Sequence, residues 1–241
     1  MKVIAAIPAR YQSTRLPGKL MADLGGMTVI ERTVENIQAM NLFDDVIVVT
    51  DSQEIESQLQ GQCKIYRSAQ NHICGTDRIA EFAHDFDADL IVNVQGDEPF
   101  LQKTDIEAII ELMSKPENQS IDVVSLKHPI EHSMERSNPN YVKVVTDLKG
   151  QALYFSRSDI PFRRHNGSVN TYRHIGIYAF RKSALIAFAQ QSPTPLEEVE
   201  VIEALRVLEM GMTFQLLLAQ HVTIGIDTKE DLIWANNFLS E

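Results

Sequence analysis

The sequence predicts an α/β fold with a mostly parallel central sheet and a smaller β-rich lobe. Apolar, β-branched runs alternate with helical patterns along the first half, which is the rhythm of βαβ crossovers. The runs VIVVT and LIVNV lack in/out alternation, as strands covered by helices on both faces do. From about residue 121 the strand-like segments crowd closer together, and this change sets off the lobe, approximately 121–181, within one domain spanning 1–241.

The elements follow in order. KVIAAIP at 2–8 is the first strand, and TVIERTVENIQAM at 28–40 has the apolar spacing of a helix. DVIVVTD at 45–51 is a strand, SQEIESQLQ at 52–60 a helix, CKIYR at 63–67 a strand and DRIAEFAHDF at 77–86 a helix. ADLIVNVQGD at 88–97 then leads into the helix TDIEAIIELM at 104–113, with Thr104 or Asp105 as its cap. The lobe holds VVSLKHPI, NYVKVVTD, QALYFSR and RHIGIYAF, and DLKG at 147–150 reads as a hairpin turn. PLEEVEVIEALRVLEMG at 195–211 reads as one helix closed by Gly211. TFQLLLAQ is a further strand, and GIDTKEDLIWANNFLSE is a loop entering a helix capped by Asp227 or Thr228.

Composition narrows the function. A net charge of -11 argues against a nucleic-acid or anionic-membrane surface, which needs clustered Lys and Arg. The apolar stretch in MKVIAAIPAR is short for a signal segment, and no later run approaches the ~20 apolar residues that span a bilayer, so a cytoplasmic location is expected. Cys63 and Cys74 are the two cysteines; they indicate neither a disulfide framework nor a structural metal site.

In open parallel sheets ligands collect at the carboxyl ends of the strands. Behind the first strand stand Arg10, Ser13, Thr14, Arg15 and Lys19, shaped by Pro17 and Gly18. Turned inward, these cations would clamp a polyphosphate, and the alternative is a solvated basic loop. Asp97 and Glu98 follow LIVNV in the turn QGDEP, where a carboxylate suits Mg²⁺, a hard ion that completes its shell with phosphate oxygens and water. HICGTDR at 72–78 puts a glycine, Gly75, before a helix and Arg78 in its first turn, where a cation opposes the helix dipole and needs a carboxylate or phosphate to compensate. Asp227 in GIDT could join Asp97 on one metal or cap the final helix. The Walker loop, the GxGxxG fingerprint and the GxSxG elbow are absent, so polyphosphate and Mg²⁺ at strand ends point toward nucleotidyl transfer.

IPARYQSTRLPGK, GTDR, VNVQGDEP, NPNYVKVV, ALYFSR, RHIGIYAF, PLEEVEVIEALR and GIDTKEDL, taken in order, resemble the 3-deoxy-manno-octulosonate (Kdo) cytidylyltransferases over nearly the whole chain. The resemblance implies a Rossmann-like nucleotidyltransferase fold and a homodimer built on the lobe. It implies a reaction that joins CTP to the anomeric hydroxyl of Kdo, releases pyrophosphate and feeds lipopolysaccharide synthesis. Carried over by position, Arg10 and Lys19 hold the triphosphate, with Ser13, Gly75 and Gln95 on the nucleotide side. Asp97 and Asp227 ligand Mg²⁺, and Arg78, Gln95, Arg157, His174 and Glu197 or Glu200 line the sugar site. Cys74 stands where the family usually has Ser, the 160–174 connection is short and lacks a tryptophan, and Glu198 adds a carboxylate. These departures keep the amino sugar 8-amino-3,8-dideoxy-manno-octulosonate as an alternative substrate. A sialic-acid-type CMP-sugar synthetase and a noncatalytic sugar-nucleotide sensor are the remaining rivals.

Overall fold

The computed structural model describes residues 1–13, 15–70, 72–130, 133–165, 169–221 and 225–240. The chain divides into two compact units, residues 1–103 with 223–241 and residues 104–222, so the second takes in the whole 121–181 lobe and extends beyond it on both sides.

The first unit is built on β1 (Val3–Ala9), β4 (Asp45–Thr50), β5 (Lys64–Arg67) and β6 (Leu90–Asn93), with a small hairpin of β2 (Asp23–Leu24) and β3 (Met27–Thr28). Its four main strands are all parallel, in the order β6, β1, β4, β5. Every residue of β1 and β6 is buried, which explains their unbroken apolar sequences. Helices α1 (Val29–Ala39), α2 (Gln53–Gln58) and α3 (Gly75–Ala80) follow their strands, and α9 (Lys229–Ser240) closes the unit. At the start of α1, Glu31 N–H donates to Thr28 Oγ1 at 3.3 Å while Thr28 N–H donates to Glu31 Oε2 at 2.8 Å, a capping box that satisfies two of the helix's orphan donors. The apolar stripe Ile30, Val34 and Ile37 is fully buried, each side chain worth about 1.5–3 kcal/mol of transfer free energy. Of the expected helix over 77–86 only residues 77–80 are α-helical, in a helix that already starts at Gly75, and residues 81–85 continue it as turns.

The second unit contains β7 (Val123–Pro129), β8 (Lys143–Thr146), β9 (Ala152–Ser156), β10 (Tyr172–Arg181) and β11 (Phe214–Leu218), with α4 (Lys103–Ser114) leading into it. Strand β11 lies parallel to β7, while β7, β10, β8 and β9 pair antiparallel in that order. Its helices are α5 (Ser133–Ser137), α6 (Lys182–Gln190), α7 (Pro195–Glu200) and α8 (Ala204–Glu209). The helix expected over 195–211 is therefore two helices. Val201 sits at φ +54°, a left-handed conformation costly for a β-branched residue, and breaks the rod there. Arg157 holds the break, its Nε donating to Glu200 O at 2.7 Å and its Nη2 to Val201 O at 3.0 Å. Gly211 ends α8 at φ +71°, as its sequence position suggested. Asp105 is no cap: it is buried in the first turn of α4, where its Oδ1 accepts from Gln220 N–H at 2.8 Å.

Candidate active site

In the first unit three segments distant in sequence meet beyond the ends of β1 and β6. Gly96 lies so close to the end of β1 that a Cβ would stand 3.2 Å from Pro8 O and 3.1 Å from Ile30 Cδ1, so a larger residue would have to push its neighbours aside by a few tenths of an ångström. Ile226 N–H donates to Asp97 O at 2.9 Å, tying the loop before α9 to that turn, backbone to backbone. This places the Asp97 and Asp227 carboxylates side by side. Thr228 caps α9, its Oγ1 accepting from Asp231 N–H at 3.2 Å, which leaves the Asp227 side chain available for another task.

That task is cation binding. Lys19 Nζ donates to Asp97 Oδ2 and, at 2.9 Å, to Asp227 Oδ1, while Arg15 Nη2 lies 2.9 Å from Asp227 Oδ2. Gly18, at φ +67°, turns the chain into the short 3₁₀ segment Lys19–Met21 and aims Lys19 inward. Burial pulls the Lys19 ammonium toward its neutral form, but the two carboxylates outweigh it and hold its pKa above the usual lysine value. Arg10, Tyr11, Gln12, Ser13, Pro17 and Gly18 line an open concavity of about 410 Å³. Thr14 falls outside the described residues. A concavity of about 580 Å³ between α2 and β5 is lined by the surface Arg67–Glu56 ion pair, by Gln53, Ser57 and Gln60, and by Cys63, whose thiol is pushed up to about 11 by burial.

The donor set fits a hard divalent ion. No group of three or more His, Cys, Asp and Glu side chains suited to a metal occurs among the described residues, but Mg²⁺ is commonly held by one or two carboxylates plus substrate phosphates. Asp97 and Asp227 meet that lower requirement.

Arg78 is buried on α3, its Nη2 donating to Asp51 Oδ2 at 2.9 Å. Its Nη1 is buried without a hydrogen-bond partner among the described residues, a deficit of about 1–3 kcal/mol that an anionic ligand oxygen would remove. In the six-residue α3, Arg78 belongs to the last turn, so the helix-dipole reason for singling it out does not apply. Gln95 and Gly75 stand together, a Cβ on Gly75 lying 3.3 Å from Gln95 Oε1. His72 Nε2 meets both Ser68 Oγ at 3.2 Å and Glu81 Oε2 at 2.7 Å; one nitrogen serving both neighbours is not the relay of a serine nucleophile.

In the second unit the expected sugar-site residues have structural partners. Both oxygens of Glu197 are held by Arg206, at 2.7 Å from Nε and 2.6 Å from Nη2, and Glu197 is 5% exposed. Glu200 accepts from Ser156 Oγ at 2.6 Å and Arg157 N–H at 2.9 Å, and the Arg157 guanidinium donates to the carbonyls of Pro139, Glu200 and Val201. His174 is half-buried among the rings of Phe155, Tyr178 and Phe214. Ser125 Oγ lies 2.9 Å from Ile175 O, where only the hydroxyl proton can serve, so the 2.8 Å contact to His174 Nε2 requires the proton on that nitrogen. Burial pushes His174 down to about 3 from an ordinary 6.5. Folded protein keeps this imidazole neutral while unfolded chain takes up a proton, so stability contributed by His174 declines as pH falls from 6.5 toward 3, by on the order of a few kcal/mol. Urea titrations at pH 7 and pH 4 should show this acid-linked loss in the parent and a clearly smaller one in His174→Gln; equal slopes would refute the assignment.

Sequence reasoning passed over three partnered charged groups. Asp51, the partner of Arg78, stands at the end of the strand DVIVVT and was open to the same strand-end logic that found Asp97. Lys143, fully buried with Nζ donating to the carbonyls of Asn138, Tyr141 and Arg157, and Arg206, bound to Glu197, are buried cations whose pairing no periodicity or motif discloses.

Cations behind the first strand of a parallel sheet and paired carboxylates at strand ends are the equipment of a nucleotidyl-transferring α/β enzyme. Comparison with known proteins makes this specific. The cytidylyltransferase family model matches residues 4–214. The 3-deoxy-manno-octulosonate cytidylyltransferase of Flavobacterium johnsoniae is 48% identical over 243 residues, covering 100% of both chains, and that of Christiangramia forsetii is 46% identical over 241 residues, covering 99% of this chain and 97% of the other. A solved CMP:2-keto-3-deoxy-manno-octonic acid synthetase complexed with CTP superposes with a TM-score of 0.92 at 33% identity, covering 100% of this chain and 99% of that one. The chain belongs to the 3-deoxy-manno-octulosonate cytidylyltransferase family, whose members are CTP-dependent nucleotidyltransferases.

Proposed function

We propose that this chain transfers CMP from CTP to the anomeric hydroxyl of 3-deoxy-manno-octulosonate, releasing pyrophosphate and supplying activated sugar acid for lipopolysaccharide synthesis. The observation that carries the reading is the convergence of Lys19, Asp97 and Asp227 beside the basic loop 10–18. The hydroxyl oxygen forms a bond to the α-phosphorus as the bond to the β-phosphate bridging oxygen breaks, and the hydroxyl proton passes to solvent. No covalent enzyme intermediate is needed, so positioning and charge stabilisation supply the rate.

Within this reading Arg10 and Lys19 take the charge of the triphosphate, with Ser13, Gly75 and Gln95 beside the nucleotide. Arg78 receives the sugar-acid carboxylate, because its buried Nη1 asks for an anionic acceptor and a guanidinium fork matches one. Asp97 and Asp227 would hold Mg²⁺, which lowers the pKa of a bound hydroxyl and neutralises phosphate charge. Arg157 and Glu200 keep the Val201 break in place, Glu197 supports its unit from the interior, and His174 packs among three aromatic rings.

A homodimer and a cytoplasmic location belong to the same proposal. No helix among the described residues is long and apolar enough to cross a membrane, and Leu153, on the β9 strand of the lobe, is exposed. Light scattering at the mass of one chain, or recovery with the membrane fraction, would count against them.

Pyrophosphate release with CTP and a sugar panel tests the function. Turnover should be greatest with 3-deoxy-manno-octulosonate, lower with its 8-amino analogue and absent with sialic acids. A higher kcat/KM for the amino sugar would move the specificity to that compound, and no turnover with any sugar would leave the sensor reading.

A further inference from the structure

The Lys19 ammonium occupies the position at which two carboxylates most need a positive charge. It bonds both Asp97 Oδ2 and Asp227 Oδ1, and Arg15 covers the remaining Asp227 oxygen at 2.9 Å. The backbone bond from Ile226 N–H to Asp97 O keeps the two acidic loops together whichever cation lies between their side chains. Without a positive neighbour the two anions would repel across a partly buried gap, where the effective dielectric is well below that of water. Arg15 is more than half exposed and reaches only one of them, so Lys19 is the group that neutralises the pair.

The geometry points to Lys19 as an internal counter-cation: it holds the Asp97–Asp227 pair in the metal-free protein and competes with a divalent ion for the same oxygens. This inference rests on the proposed assignment of those two aspartates to a metal. The ammonium lies between the two carboxylates, bonded to both, so a divalent ion that takes both into its shell meets like-charge repulsion from it at close range and displaces it. Lys19 then stands directly behind the 10–18 loop that carries Arg10 and Ser13, free to meet an anionic triphosphate. The displacement makes Lys19 serve two states with one charge. It also lowers the affinity for metal alone, because the binding-competent fraction of the protein is the small fraction with Lys19 withdrawn.

Binding of Mn²⁺ alone, followed by calorimetry on the full chain without CTP, tests this. Lys19→Met keeps the apolar stem and removes the charge; it should bind Mn²⁺ about tenfold more tightly than the parent, as expected if about one molecule in ten is competent before the change. Its metal-free unfolding midpoint should fall and be restored by Mn²⁺. Lys19→Gln should repeat both effects if the Met variant folds poorly. Equal or weaker Mn²⁺ binding by both variants overturns the counter-cation role, including the case in which neither they nor the parent bind detectably. Failure of the underlying metal assignment has a different signature: Asp97→Asn and Asp227→Asn would leave Mn²⁺ affinity of the Lys19→Met protein unchanged.

Discussion

Replacing Asp97 by Asn is expected to lower kcat/KM for pyrophosphate release by about 10²–10³-fold, the size of effect seen when one preorganised contact to developing charge is lost. The carboxylate is at the end of an entirely buried strand, on a turn that packs through Gly96 against Pro8 and Ile30, so the isosteric amide should leave the fold in place. What changes is charge. An amide donates as well as accepts and does not attract a divalent ion, so the loss should appear in kcat and in the metal concentration needed for half activity. Asp227→Asn should resemble it, and the double variant should be little worse than either single one, because groups that act as a unit are not additive. Activity within about threefold of the parent would remove Asp97 from the chemistry. A loss recovered wholly by raising CTP would assign it to substrate binding alone.

Much of this site was legible in the sequence because parallel sheets send their ligands to strand ends. The all-buried runs VIAAIPA and LIVN identify the strands, and the polar residues immediately behind them, Arg10 to Lys19 and Gln95 to Asp97, are where the structure builds the concavity and the carboxylate pair. Asp227 was ambiguous for a physical reason. Thr228, one residue on, can cap the same helix, and only the three-dimensional position of Lys19 and the Ile226–Asp97 backbone bond decides between cap and cation ligand. The 195–211 segment misled because helical periodicity persists through Val201. The break there is imposed by Arg157, 44 residues earlier, which no local pattern contains. Glu197, singled out as a sugar contact, is buried against Arg206, nine residues further on.

That ion pair leads to the largest stability effect expected of a single substitution. Arg206 is 1% exposed and Glu197 is 5% exposed; the guanidinium forks across both carboxylate oxygens and lies 4.0 Å from the centre of the Phe188 ring. Removing the cation leaves a desolvated carboxylate with no counter-charge, a change that costs about 3–5 kcal/mol in buried pairs, whereas an apolar pair of similar volume is often tolerated. Arg206→Met should therefore lower Tm by roughly 6–20 °C in a chain of this size. Arg206→Met combined with Glu197→Leu should recover most of the loss, since both charges are then gone. Thermal unfolding of the three proteins, paired with the KM for the sugar acid, separates the two roles open to Glu197. An interior support predicts a large Tm change and a near-constant KM in Glu197→Gln, and a sugar contact predicts the reverse. Should Arg206→Met melt within about 2 °C of the parent, the pair is not the anchor between α7 and α8 that its geometry indicates.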